Sequence, residues 1–127
     1  MEFFELNAKY IYTAANALSN TYFIHVITNT DQANYQAGNQ PIITHQSDGT
    51  IDVELQVVKN LSIPEISVET PVVHTVNIGT FQPTDYHEVN ITVVLMATDG
   101  SSSTIGGAVL STAAAVEDSK PIEIDDD

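Results

Sequence analysis

The amino-acid sequence predicts an all-β domain, an antiparallel β-sandwich of roughly seven to eight short strands. Three observations support this prediction. Apolar and polar residues alternate with a period of two over much of the chain, turn-forming residues recur about every ten residues, and no amphipathic pattern is long enough for helices that would cover a parallel sheet. The 127 residues suffice for one domain with one packed core.

The first twenty residues fit two kinds of secondary structure. Apolar residues at helical spacing, from Ala8 to Leu18, would form one stripe of a helix. A strand is the alternative, and we favour it because Tyr10-Ile11-Tyr12-Thr13 is rich in aromatic and β-branched residues. The same enrichment predicts a second strand from Tyr22 to Thr28.

Residues 42–57 are predicted to form a β-hairpin. Apolar residues alternate with polar ones from Ile51 to Val57, as in a strand with one solvated face. Asp48-Gly49 lies between this strand and the apolar segment that begins at Ile42. Because both central residues of a tight hairpin turn favour positive φ, Asp-Gly at this place is a strong hairpin signal.

The second half of the chain predicts further strands. Ile66 and Val68, which lie between two prolines, suggest a short edge strand because proline cannot donate within a central ladder. An alternating set from Val72 to Ile78 follows, and the longest alternating set runs from His87 to Ala97. After a turn at Asp99-Gly100, the last apolar segment extends from Ala108 to Val116, with a short helix possible at residues 113–115.

The chain divides into a domain over residues 1–116 and an acidic C-terminal tail over residues 117–127. The tail holds six acidic residues, Lys120 and Pro121, a composition typical of a solvated segment. The acidic N-terminus lacks the basic and long apolar regions of a signal peptide, and no apolar run approaches the roughly 18 residues of a membrane span.

One stretch resembles a known family. A strand over residues 72–79, followed by Phe81-Gln82-Pro83 and then by Tyr86, is similar to the corner between two strands of immunoglobulin-like and fibronectin type III-like domains. The resemblance covers about thirty residues, Val72 to Gly100, and implies an immunoglobulin-like or jelly-roll-like sandwich. It also implies that Tyr86 bonds back across the corner. The cysteine pair and the core tryptophan of antibody domains are missing.

Charge excludes several classes of function. The chain has no arginine and three lysines against seventeen acidic residues, a formal net charge of −14. Binding nucleic acid through phosphate neutralisation therefore has almost no cations to use, and no cationic cluster exists to stabilise an anionic transition state. No catalytic motif is present, so we expect no enzyme and no resident cofactor. An acidic inhibitor or DNA mimic is less favoured, because its carboxylates would need to be denser.

Histidine and aspartate are the candidate metal ligands of this sequence. The four histidines lack the close spacing of a zinc or copper site, and there is no cysteine to join them. His74 and His87 share the parity of their apolar neighbours and are expected to bond backbone groups at the ends of the buried face. Calcium is possible, since Asp48, Asp85 and Asp99 fall in predicted loops and calcium prefers oxygen ligands.

These observations favour a non-enzymatic structural or interaction protein. We expect a homo-oligomer or a component of a larger protein lattice, such as a capsid decoration subunit on a virion exterior or an extracellular surface fibre. Phe3, Phe4 and Leu6 are the candidate interface residues, because an N-terminal segment can add to a sheet edge of a neighbour. The alternative is a calcium-dependent module that binds carbohydrate or a cell surface.

Overall fold

The chain folds almost entirely into β-strands, which confirms the predicted all-β class. The computed structural model describes residues 4–15, 20–82 and 84–117. Within these ranges there are nine strands and one short 3-10 helix over Thr112–Ala114. The strands are β1 (Phe4–Ala15), β2 (Asn20–Thr30), β3 (Tyr35–Ala37), β4 (Ile42–His45), β5 (Thr50–Lys59), β6 (Thr70–Phe81), β7 (Glu88–Met96), β8 (Ser102–Ser111) and β9 (Val116–Glu117).

Two sheets pack face to face, as the predicted sandwich requires. Sheet A has the strand order β6-β2-β1-β9, and sheet B has the order β3-β5-β7-β8, with β4 also paired to β5. Most neighbours are antiparallel, but β5 runs parallel to β7 and β1 runs parallel to β9. The parallel pairs depart from the predicted antiparallel arrangement. The alternation of apolar and polar residues indicates a strand with one solvated face, but it does not indicate the direction of the neighbouring strand.

The N-terminal segment is a strand, so the preference for a strand over a helix is confirmed. β1 pairs with β2 along its whole length, from Phe4 opposite Thr30 to Ala15 opposite Asn20. A bulge between Leu6 and Ala8 resets the register within this pair. Leu18, the last residue of the alternative helical stripe, lies outside the described residues.

The predicted hairpin at Asp48-Gly49 is confirmed. β4 and β5 are antiparallel, and the Gln46 N–H donates to the Thr50 carbonyl at 2.8 Å. The loop holds three residues between these two, and Gly49 has a φ of +90°. This geometry is the three-residue turn with a left-handed glycine, instead of the two-residue turn that the Asp-Gly signal most often marks.

The core lies between the inner faces of the two sheets and consists mainly of valine and isoleucine. Every second residue of β5, β6 and β7 is buried over most of each strand, as the period-two pattern predicts. An aromatic group closes one end of the core: Tyr22 stacks on Phe81 at 4.3 Å between ring centroids, and Tyr86 meets Phe81 edge-on at 5.0 Å. Tyr86 is thus placed at the corner where the sequence located it.

Residues 61–69 do not form the short edge strand expected at Ile66 and Val68; they lie in a connecting loop between β5 and β6. Pro64 interrupts this segment, and no strand among the described residues pairs with it. A backbone hydrogen bond joins it to the turn between β2 and β3, where the Ala33 N–H donates to the Ile66 carbonyl at 2.9 Å. The loop therefore places apolar side chains on the surface.

The C-terminal part of the sheet reaches one residue into the segment assigned to the tail. β9 consists of Val116 and Glu117, which lie opposite Tyr12 and Thr13 of β1. The short helix expected at residues 113–115 occurs as the 3-10 turn, where the Ser111 hydroxyl accepts from the Ala113 N–H. Residues 118–127 lie outside the described part of the chain.

Candidate functional site

The four histidines are distributed over separate places in the fold. The His74 imidazole is buried, and its Nε2 lies 3.0 Å from the Gln56 carbonyl, which confirms the expected backbone bond for that residue. The His87 side chain is exposed at the end of β7, so its expected place at the end of the buried face is wrong. Among the described residues, no three His, Asp or Glu side chains are grouped as a metal site would need.

The candidate calcium ligands act within turns. Asp48 Oδ1 accepts from the Thr50 N–H and hydroxyl, and Asp99 Oδ1 accepts from the same two groups of Ser101. These bonds are the main reason that the pKa of each carboxyl is lowered. Asp85 accepts from the Gln82 N–H. Because β5 and β7 run parallel, Asp48 and Asp85 lie at one end of the sandwich and Asp99 lies at the other.

The described residues of the predicted N-terminal interface pack within their own domain. The Phe4 ring meets Tyr35 edge-on at 5.2 Å, and both Phe4 and Leu6 contact the core cluster. Leu6 lies over Gly106 of β8, where a β-carbon would collide with its side chain. Phe3 falls outside the described residues. Their role in contacts between subunits remains a prediction. A second candidate contact surface lies on sheet A.

That surface is the outward-facing side of sheet A, which we call the aromatic face. Its central members are Tyr10 and Tyr12 from β1 and Phe23 and His25 from β2. The Tyr12 side chain is buried, with 8% exposed, and the other three are half-buried. Tyr12 stacks on Phe23 at 5.2 Å with an interplanar angle of 11°, and Tyr10 lies 5.1 Å from His25. The β1–β2 register places Tyr10 opposite His25 and Tyr12 opposite Phe23, and Tyr10 lies 6.1 Å from Tyr12, so the four rings form one cluster.

The aromatic face continues onto β6 through apolar and neutral polar side chains. Ile27 lies opposite Val73, whose side chain is 50% exposed, and Thr75 lies opposite His25. Among the side chains described on this face, one is charged, Glu5 at one end. The outer face of sheet B differs, since Asp52, Glu54 and Glu88 lie on it. The two outer faces of the sandwich therefore differ in charge.

Two titratable groups of the aromatic face are held in their neutral forms. Burial raises the pKa of Tyr10, and the charge on Tyr12 adds to the shift when both ionise. Burial lowers the pKa of His25, whose Nδ1 lies 2.9 Å from the Thr75 hydroxyl. The Tyr10 hydroxyl is shielded from solvent and has no hydrogen-bond partner among the described residues. At neutral pH the face is therefore uncharged in its centre and retains one unpaired hydroxyl.

A second apolar surface lies on the loop between β5 and β6. Leu61, Ile63, Ile66 and Val68 are exposed there, Leu61 by 72%. Beside it is a pocket of about 330 Å³ lined by the Lys59–Glu65 ion pair, Leu61 and the end of β7 at Leu95 and Met96. The lining thus combines one ion pair with apolar side chains.

Sequence reasoning could have found the aromatic face in part. Tyr10 and Tyr12 share one parity, and so do Phe23 and His25, which places each pair on one side of its strand. The missing information was the register of β1 against β2, which places Tyr10 opposite His25 and Tyr12 opposite Phe23.

Comparison with known proteins found no matching family model, no matching curated protein and no matching solved structure. In the part of the chain that the structure describes, no helix is long and apolar enough to cross a membrane.

Proposed function

We propose that this chain is a non-enzymatic structural protein that works by assembly, either with copies of itself or onto a larger protein lattice. A capsid decoration subunit on the outside of a virion and a subunit of a surface fibre are the settings that fit the composition. The acidic character supports a position away from nucleic acid. The observation that carries the proposal is the difference in charge between the two outer faces of the sandwich.

Electrostatics explains why this difference favours association through sheet A. Two molecules with a formal charge of −14 repel each other. Packed sheets are about 10 Å apart, whereas the Debye length is about 8 Å at 0.15 M salt. When the aromatic face makes the contact, the acids on the outer face of sheet B lie more than one screening length behind it. The contact is then dominated by apolar burial, and added salt strengthens it.

Light scattering over a range of protein and salt concentrations tests the proposal. We expect association to increase from 0.05 to 0.5 M salt, because the Debye length falls by about three-fold over this range. Phe23→Glu, on the aromatic face, is expected to prevent association. Thr92→Glu is the matched control, because it adds the same charge to a half-buried site on a central strand of sheet B.

A wild-type protein that stays monomeric at every salt and protein concentration, and is not recruited to a lattice, would contradict the proposal. Equal association of the two variants would contradict the choice of the aromatic face.

A carbohydrate-binding module is the second candidate, and the cluster of four rings on the aromatic face is the observation that favours it. Aromatic side chains suit contact with the apolar face of a sugar ring. A glycan array with the wild type and Tyr10→Ala, run with and without millimolar calcium, separates the candidates. Binding lost in Tyr10→Ala supports carbohydrate recognition, and dependence on calcium would support the predicted calcium role.

The resemblance to immunoglobulin-like and fibronectin type III-like domains belongs to this proposal as well. Tyr86 at the corner between β6 and β7 supports it. The parallel pairing of β5 with β7 argues against it, since those domains consist of antiparallel sheets.

A further inference from the structure

We infer that the free edge of β6 pairs with β6 of a second copy of this chain, antiparallel and about a two-fold axis. Two copies of sheet A would then form one continuous sheet, and the two aromatic faces would lie side by side. This inference rests on the proposed assembly function and adds a second contact between subunits, at the edge of sheet A, to the contact through the aromatic face.

β6 is a long edge strand whose middle part lacks the usual protection against pairing. It is the outermost strand of sheet A and spans twelve residues, Thr70–Phe81, none of which carries a formal charge. Edge strands in monomeric proteins are commonly short, charged, bulged or interrupted by proline. Here Pro71 lies at the start of the strand and the bulge at Ile78 lies near its end. The segment Val72–Asn77 between them is regular.

The other edges are less suited to pairing. β8, at the edge of sheet B, is interrupted in its middle by a bulge at Ile105, which is followed by Gly106-Gly107. β3 and β4 have three and four residues. The remaining edge of sheet A is shared by β9 and by β1, which carries Lys9. β6 therefore offers the longest uncharged edge that the described residues contain.

A second copy fits this edge better than a different protein with a charged strand. An antiparallel pair about a two-fold axis matches the donors and acceptors of a strand to those of its own copy. β6 has no charged side chain that would repel the same strand of a second copy or attract a charged strand of another protein. The inward-facing His74 is held neutral by burial, and the outward-facing Val73 and Thr75 supply neutral side chains to a cross-strand contact.

Analytical ultracentrifugation of two valine variants at 0.5 M salt provides the test. Val73→Glu places like charges near each other across the two-fold axis and is expected to weaken dimerisation by about ten-fold or more. Val109→Glu is the control, since Val109 is also an exposed valine on an edge strand, in β8. Val73→Lys changes the net charge in the opposite direction and should weaken dimerisation as Val73→Glu does.

Hydrogen exchange of the wild type gives an independent measurement that does not depend on the folding of a variant. Amides of Val72–Asn77 that face the free edge should be protected at concentrations where the dimer forms and not below them. Association in which Val73→Glu and Val109→Glu behave alike and β6 amides stay unprotected would overturn the β6 contact while the assembly function stands. A wild type that never associates would overturn both.

Discussion

Gly49 and Gly100 provide a matched pair for measuring what a side chain costs in a left-handed turn. Both follow an aspartate and have a φ of +90°. In each turn the aspartate Oδ1 accepts from the N–H and hydroxyl of the residue after the glycine. The two turns differ in their surroundings: a β-carbon at Gly49 would lie 2.7 Å from His87 Nδ1, whereas one at Gly100 meets nothing within 4 Å.

The expected losses in free energy of unfolding follow from this comparison. Gly100→Ala should cost about 1–2 kcal/mol, the backbone cost of a left-handed L-residue. Gly49→Ala should cost roughly 1 kcal/mol more, at the low end of the 1–3 kcal/mol for overpacking, because the exposed His87 ring is able to move. For a chain of this length, that difference corresponds to about 3–5 °C in melting temperature.

Urea unfolding followed by circular dichroism gives both values, provided that the dependence on urea is the same in all variants. His87→Ala supplies the decisive control. In that background, Gly49→Ala should cost only what Gly100→Ala costs, because the ring that the β-carbon meets is gone. Equal losses for the two glycine substitutions in the wild-type background, or an unchanged loss when His87 is removed, would refute this reasoning.

Two further predictions concern the interior. Burial lowers the pKa of His74 from its ordinary 6.5. Below about pH 6.5 the unfolded chain therefore binds a proton at this histidine, whereas the folded chain binds it only at a lower pH. Stability should fall below pH 6.5, and His74 should contribute up to about 1.4 kcal/mol per pH unit to that fall. In urea titrations His74→Val should remove this contribution, with the Gln56 carbonyl still accepting from Gly38. The contribution of His25, whose pKa burial also lowers, should remain. Gly106→Ala should destabilise the fold by collision with Leu6, and Leu6→Val should recover part of the loss in the double variant; additive losses would contradict this.

Local chemistry predicted much of the fold. The turn at Asp48-Gly49 and the alternation along β5, β6 and β7 are set by neighbouring residues, so they could be located from the sequence. The strand expected at Ile66 and Val68 failed because two β-branched residues do not suffice in a segment that pairs with no strand of the described residues.

Partner strands were beyond the reach of the sequence. β5 and β7 show the pattern of strands with one solvated face, and nothing in that pattern states that they lie side by side and parallel. The aromatic face depends in the same way on pairing, since Tyr12 and Phe23 meet only because β1 and β2 pair in the register that runs from Ala15 opposite Asn20 to Ala8 opposite Ile27. The candidate calcium ligands were located correctly in turns, but the distances between those turns come from the topology.

The parallel contact between β5 and β7 has a consequence for how fast the chain folds. β6 lies between them in the sequence but belongs to sheet A. The chain therefore leaves sheet B after β5, forms β6 in sheet A, and returns to sheet B before β5 and β7 can pair. Neither sheet is a local unit that forms first on its own, and β9 joins β1 only when nearly the whole chain is in place. Loop closure over such separations is slow, so we expect a single cooperative folding phase on the scale of milliseconds to seconds. During that interval the uncharged β6 strand is unpaired, and the net charge of −14 is what keeps neighbouring chains apart.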